Sequence, residues 1–251
     1  MWRYGPIHAK DVEELRRIRA ENDLYPLVVH DNYLINLASL DEAIRAKSVL
    51  AFRQELERAI VIGAEYLVAH PGSYKNQSVE SGIHSFVGGL LEAVEGLDTT
   101  GVTLLLENTA GQGSALGSRF EELAEMRRLA LPQTSLKIGY CLDTCHCLAA
   151  GYDVATAEGL ERTLQDAQQL LGFDNVPVIH TNDSRGALGS HLDRHENIGE
   201  GQIGLEGFHR ILNHPLLRQK AFVLETPIDQ PGDDLRNVNT LKQLTTGMQL
   251  V

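Results

Sequence analysis

Apolar and polar positions along the chain fall into two alternating patterns. Short, mostly apolar runs each close on a His, Asp or Glu: YPLVVH at His30, EYLVAH at His70, VTLLLE at Glu107, KIGYCLD at Asp143, VPVIH at His180 and AFVLE at Glu225. Near-continuous apolar runs of this length are the mark of strands buried on both faces. Between them, the stretches 11–22, 40–63, 79–95, 121–129, 156–171 and 205–212 repeat apolar residues every three or four positions, which predicts helices packed by one face. The alternation of strand and helix predicts a parallel sheet covered by helices.

The polar residue that closes every run decides between the two forms such a sheet can take. An open sheet spreads its strand ends along an edge, whereas a (β/α)8 TIM-type barrel brings them to one rim, where active sites sit. An α/β TIM-type barrel is therefore expected. The first helical stretch starts near Met1 with no strand before it, so about the first two of the eight strands are expected to be absent from this chain. No linker or low-complexity tract interrupts the repeat. Residues 1–251 are expected to form a single, incomplete barrel domain that ends in a helix beginning near Leu235 and a frayed tail.

Composition narrows the setting. The cysteines Cys141, Cys145 and Cys147 crowd into one segment, so no disulfide framework spans the fold, and a reducing cytoplasm is the expected location. No apolar run reaches the roughly 20 residues that cross a bilayer, and no membrane partner is expected. A formal net charge of −12 argues against a general electrostatic grip on nucleic acid. Bound divalent cations would reverse that sign locally.

The strand-end groups and their neighbours make a set of nine: His30, His70, Glu107, Asp143, His146, His180, Asp193, His195 and Glu225. Imidazole and carboxylate suit Zn²⁺, and carboxylates can be shared between ions. Nine such groups exceed what one mononuclear site needs, and Asp193 and His195, two apart on an extended loop, point to the same side.

The contexts VVHDNYLINL, VAHPGSY, LLENTAGQGS, CLDTCH, IHTNDS, GSHLDRHENIGEGQIG and LET, in that order, resemble endonuclease IV, a family of abasic-site endonucleases on a three-zinc barrel. The match runs from Trp2 to the final helix. The resemblance implies three Zn²⁺, with Mn²⁺ or Fe²⁺ as substitutes. His30 and His70 would hold one ion, with Glu107 bridging to a second. Glu107, Asp143, His180 and Glu225 would hold that second ion, and His146, Asp193 and His195 the third. It implies a phosphodiester hydrolase that cuts double-stranded DNA 5′ to an abasic site in base-excision repair, acting as a monomer. Glu107 would be its catalytic carboxylate, orienting the nucleophile. Tyr33 and Leu34 would be DNA-binding residues inserted at the lesion. Gln112, Gly113, Asn182, Ser184 and Arg185 would contact phosphates or hold the ligands.

Plainer readings stand beside these. A strand-end His taken alone is more often a buried, hydrogen-bonded imidazole than a ligand. His8, His84, His209 and His214 have no ligand context, and His191 is a decoy two residues before Asp193. The three thiols are expected to pack as small hydrophobes. The glycines of GQG and GEGQIG match neither a P-loop nor a dinucleotide fingerprint, so no organic cofactor is expected and they serve loop shape. The alternative functions are a divalent-metal sugar isomerase or epimerase on the same barrel, and an inactive truncated paralogue. The Asp193–His195 pair discriminates against the isomerase.

Overall fold

In the computed structural model, residues 5–245 are described; Trp2 and the tail beyond the last helix lie outside them. They divide into two compact units, residues up to 107 with 122–140, and 108–121 with 141 onward.

The first unit contains helix α1 (Ala9–Glu21), strand β1 (Val28–His30), α2 (Glu42–Ile62), β2 (Tyr66–Ala69), α3 (Val79–Val94) and β3 (Thr103–Glu107). The strands pair in parallel, β1 with β2 and β2 with β3, with His30 opposite Val68 and Ala69 opposite Leu106. That register aligns the three strand ends. Leu104, Leu105 and Leu106 of β3 are all fully buried, as a strand covered on both faces requires. Helix α2 starts where Asp41 accepts the N–H groups of Ala43 and Ile44. It stops at Gly63, whose φ of 74° is the left-handed conformation that closes a helix. Helix α4 (Phe120–Ala130) and strand β4 (Lys137–Asp143) each carry the chain across the division between the units.

The second unit continues with α5 (Thr144–Ala150), α6 (Ala157–Leu170), β5 (Val178–His180), β6 (Asp183–Ser184), β7 (His195–Glu196), α7 (Gly204–Asn213), β8 (Ala221–Val223) and α8 (Asp233–Thr245). Here β4 pairs with β5 and β5 with β8, all parallel, with Asp143 opposite His180 and His180 opposite Val223. A separate antiparallel pair joins β6 to β7.

The six predicted strands and the predicted helices are all present within a few residues of their expected ends. One helix and one two-stranded pair had no signal in the apolar pattern. Helix α5 is short and wholly buried except for its end, so it shows no amphipathic period. The β6–β7 pair is two residues long on each side, too short for alternation to be read. Both carry groups of the site.

Candidate metal centre

In the first unit the aligned ends of β1, β2 and β3 bring His30, His70 and Glu107 together. The Glu107 carboxylate is fully buried, with Oε2 2.9 Å from Nε2 of His30 and 3.4 Å from Nε2 of His70. The two imidazoles lie with ring centroids 5.2 Å apart. The Nδ1–H of His30 donates to the carbonyl of Asp31 at 2.8 Å. Because a carbonyl only accepts, this contact places a proton on Nδ1, and Nε2 is the nitrogen that faces the Glu107 carboxylate.

The second unit builds its groups less directly. Asp143 ends β4 and also caps α5, taking the backbone N–H of His146 at 2.8 Å. This sharp strand-to-helix turn puts His146 beside it, three residues on. Nδ1 of His146 donates to the carbonyl of Asn108 at 3.0 Å, and its Nε2 faces Oδ1 of Asp193 at 3.2 Å. Nδ1 of His195, on β7, donates to the carbonyl of Glu225 at 3.0 Å. Its Nε2 is buried, has no hydrogen bond, and lies 3.8 Å from Asp143 and 3.9 Å from Asp193. Nδ1 of His180, at the end of β5, is 3.1 Å from Oε2 of Glu225, which lies two residues past β8.

Asn182 ties these acids together. Its amide donates to Asp143 and, at 3.5 Å, to Glu225, while its carbonyl oxygen accepts the Glu225 N–H at 2.7 Å. Thr144 holds the Asn182 backbone from both sides, through its N–H and its carbonyl. Asp183, the next residue, is fully buried and accepts the N–H groups of Gly199, Gly201, Ile203 and Gly204, which fixes the loop that follows β7. The glycines of GEGQIG therefore wrap a carboxylate of the chain itself: a Cβ at Gly201 would stand 2.5 Å from Asp183.

The donor set fits divalent cations. Three histidines, His30, His146 and His195, anchor Nδ1 on a backbone carbonyl and turn Nε2 toward a carboxylate. Two ligands about 2.1 Å from one tetrahedral ion stand about 3.4 Å apart, within the 2.9 to 3.9 Å range of these contacts. Asp143, His146 and His195 offer ligand atoms that all lie within 4.8 Å of one another. The buried, unbonded Nε2 of His195 is the sharpest sign, because a buried polar nitrogen without a partner is costly.

Other residues singled out in the sequence fall elsewhere. Tyr33 is 84% exposed, while Leu34 is half-buried and its N–H donates to the Asn32 side chain in a tight turn. Gln112 accepts the N–H of Asp193, Arg185 pairs with Glu196, and Ser184 donates to the Gly186 carbonyl. Nδ1 of His191 is 2.9 Å from the carbonyl of Ala110. The thiols Cys141, Cys145 and Cys147 are buried and form no disulfide. Burial, with the Asp143 charge nearby, pushes the Cys145 thiol up to about 11 and Cys147 higher still. Sequence reasoning passed over Asp31, Asn108, Thr144 and Asp183, which are polar groups adjoining a ligand or Asn182 in sequence, and that adjacency was the one signal they gave.

Comparison with known proteins places the fold. A family model described as a xylose isomerase-like TIM barrel matches residues 2–245, which agrees with the barrel expected from the strand ends. A probable endonuclease 4 of Solibacter usitatus is 57% identical over 97% of this chain and 84% of its own length. The crystal structure of endonuclease IV from Thermus thermophilus superposes with a TM-score of 0.85 at 37% identity, covering 98% of this chain and 85% of that one. A D-tagatose 3-epimerase-like protein superposes with a TM-score of 0.69 at 23% identity over 95% of this chain and 84% of that one, a likeness of fold alone.

Proposed function

The chain belongs to the endonuclease IV family within the xylose isomerase-like TIM barrels, and from that premise we propose that it is a divalent-metal-dependent endonuclease that hydrolyses double-stranded DNA 5′ to abasic sites in base-excision repair. The observation that carries the reading is the buried Nε2 of His195, which has no hydrogen bond and lies 3.8 Å from Asp143 and 3.9 Å from Asp193. The ligands are His30, His70, Glu107, Asp143, His146, His180, Asp193, His195 and Glu225, and the ions are three Zn²⁺, with Mn²⁺ or Fe²⁺ able to replace them.

Bound cations supply a water acidified toward neutral pH and neutralise charge on the attacking and leaving oxygens of an in-line displacement. The chain's own groups set the geometry. Glu107, held without solvent contact, orients the nucleophile against the scissile phosphorus. The backbone carbonyls of Asp31, Asn108 and Glu225 fix the tautomers of His30, His146 and His195, so that each ring presents Nε2 as a donor of electrons. Asn182 holds the Asp143 and Glu225 carboxylates in fixed orientation. The exposed ring of Tyr33, just past His30, enters the duplex at the lesion with Leu34 beside it. The strongly negative chain binds DNA where the cations sit rather than through a basic surface.

The test is cleavage of a labelled duplex carrying one abasic analogue, with bound metal quantified and a chelator-treated control. Incision 5′ to the lesion that disappears with the metal and returns on adding Zn²⁺ supports the reading. Metal bound without incision, together with turnover of a ketose, would assign the chain to the sugar-epimerase alternative.

A further inference from the structure

The histidine that ends β1 is followed by an acid that the proposed chemistry does not use. Asp31 has a side chain 3% exposed. Its backbone N–H closes the strand on Val68 at 2.9 Å, and its carbonyl takes Nδ1 of His30. The carboxyl itself stands 3.6 Å from that same Nδ1 and accepts the backbone N–H of His70. One buried residue thus touches both proposed imidazole ligands of the first unit.

Burying that carboxyl is costly. A buried carboxyl that served only to cap a strand would need one N–H donor and no position beside an imidazole. Contact with two proposed ligands at once gives the burial a use, since a group that fixes ring orientation raises metal affinity.

We propose that the Asp31 side chain is a positioning group for the cation site of His30 and His70, tethering the backbone of His70 by its carboxyl while standing 3.6 Å from the Nδ1 edge of the His30 ring. The inference rests on the reading of those two histidines as ligands.

The experiment compares the full chain with Asp31→Ala, Asp31→Asn and Glu55→Gln. Glu55 is a second buried acid that interacts electrostatically with Asp31. Folding is checked by circular dichroism and thermal melting in chelator, and Zn²⁺ binding by equilibrium dialysis. Asp31→Ala should weaken one of the bound equivalents by about 100-fold, and Asp31→Asn, which keeps an oxygen for the His70 N–H, by about tenfold, within the usual range for groups that support ligands. Glu55→Gln should bind as the parent does. Unchanged affinity in either folded Asp31 variant overturns the proposal, and so does an equal loss in Glu55→Gln, which would make the effect one of buried charge alone. If Asp31→Ala does not fold, the Asn and Gln variants decide. A parent chain that binds no Zn²⁺ overturns the metal reading itself, whereas a parent that binds beside unaffected variants removes only the role of Asp31.

Discussion

In the first unit, His30, His70 and Glu107 come from the ends, or one residue past the ends, of three neighbouring parallel strands, and strand register alone brings them together. In the second unit only Asp143 and His180 do so. His146 arrives on a short helix, Asp193 and His195 on a loop and a two-residue strand, and Glu225 two residues beyond β8. The first arrangement needs little beyond a sheet. The second needs the side-chain supports of Asn182, Thr144 and Asp183, because loops do not fix a ligand by themselves. The contrast shows where substitution should damage chemistry directly and where it should act through support.

The largest effect is expected in the first unit. Glu107→Gln keeps the shape of a fully buried side chain and removes its charge from between two imidazoles. Abasic-site incision should fall on the order of 10³-fold, since charge stabilisation of this kind is worth several kcal/mol. The melting temperature in chelator should stay near that of the parent. Incision within tenfold of the parent would refute the role of Glu107 and the direct effect expected of the first unit.

The second unit should show the next largest effect at a residue that binds no metal. Asn182→Ala removes the contacts to Asp143 and Glu225 together. Zn²⁺ affinity, measured by competition with a chromophoric chelator, should drop about 10- to 100-fold. On the strand-end plan of the first unit the comparable support is the one proposed for Asp31. Unchanged affinity in Asn182→Ala would mean that the loops hold their ligands unaided.

The same contrast explains what the sequence disclosed. Strand ends were legible because apolar runs such as VTLLLE stop abruptly at a charged residue, and burial on both faces makes that boundary sharp. His30, His70, Glu107, Asp143 and His180 could be found in this way. Asp193 and His195 follow no apolar run, and His146 lies on a helix without an amphipathic period, so their places came from the resemblance to a family. The supports were least visible. Nothing in the spacing of NDS distinguishes Asn182, which spans two acids, from Asp183, which faces away into five backbone N–H groups. That difference is set by tertiary hydrogen bonding.

A smaller effect should follow from loosening the Asp183 cage. Gly201→Ala puts a Cβ 2.5 Å from both the Asp183 carboxylate and the Ser184 carbonyl, one of which is rigid backbone. Overpacking of this kind costs about 1–3 kcal/mol, readable as a lower denaturant midpoint. The loop it strains follows β7, so any loss of bound Zn²⁺ should be confined to one equivalent. Loss of all equivalents would show that the second unit cannot be perturbed in parts.

The smallest effect should come from the histidine nearest the pair that matters. His191 is two residues from Asp193 and four from His195, and in sequence it is a decoy beside that pair. The geometry separates the two rings. Nδ1 of each meets a backbone carbonyl, Ala110 for His191 and Glu225 for His195. Only His195 has its Nε2 buried against two carboxylates and left without a hydrogen bond. His191 is an exposed residue in a left-handed backbone conformation, with φ of 52°. His191→Asn retains a side chain that tolerates this conformation. It should cost about 0.5–1.5 kcal/mol for the lost hydrogen bond and leave Zn²⁺ stoichiometry unchanged by elemental analysis. His195→Asn should remove one equivalent at a similar cost in stability. If the two variants lost the same metal, the unbonded Nε2 would not be what marks a ligand in this chain, and the second unit's assignment would have to rest on the family resemblance alone.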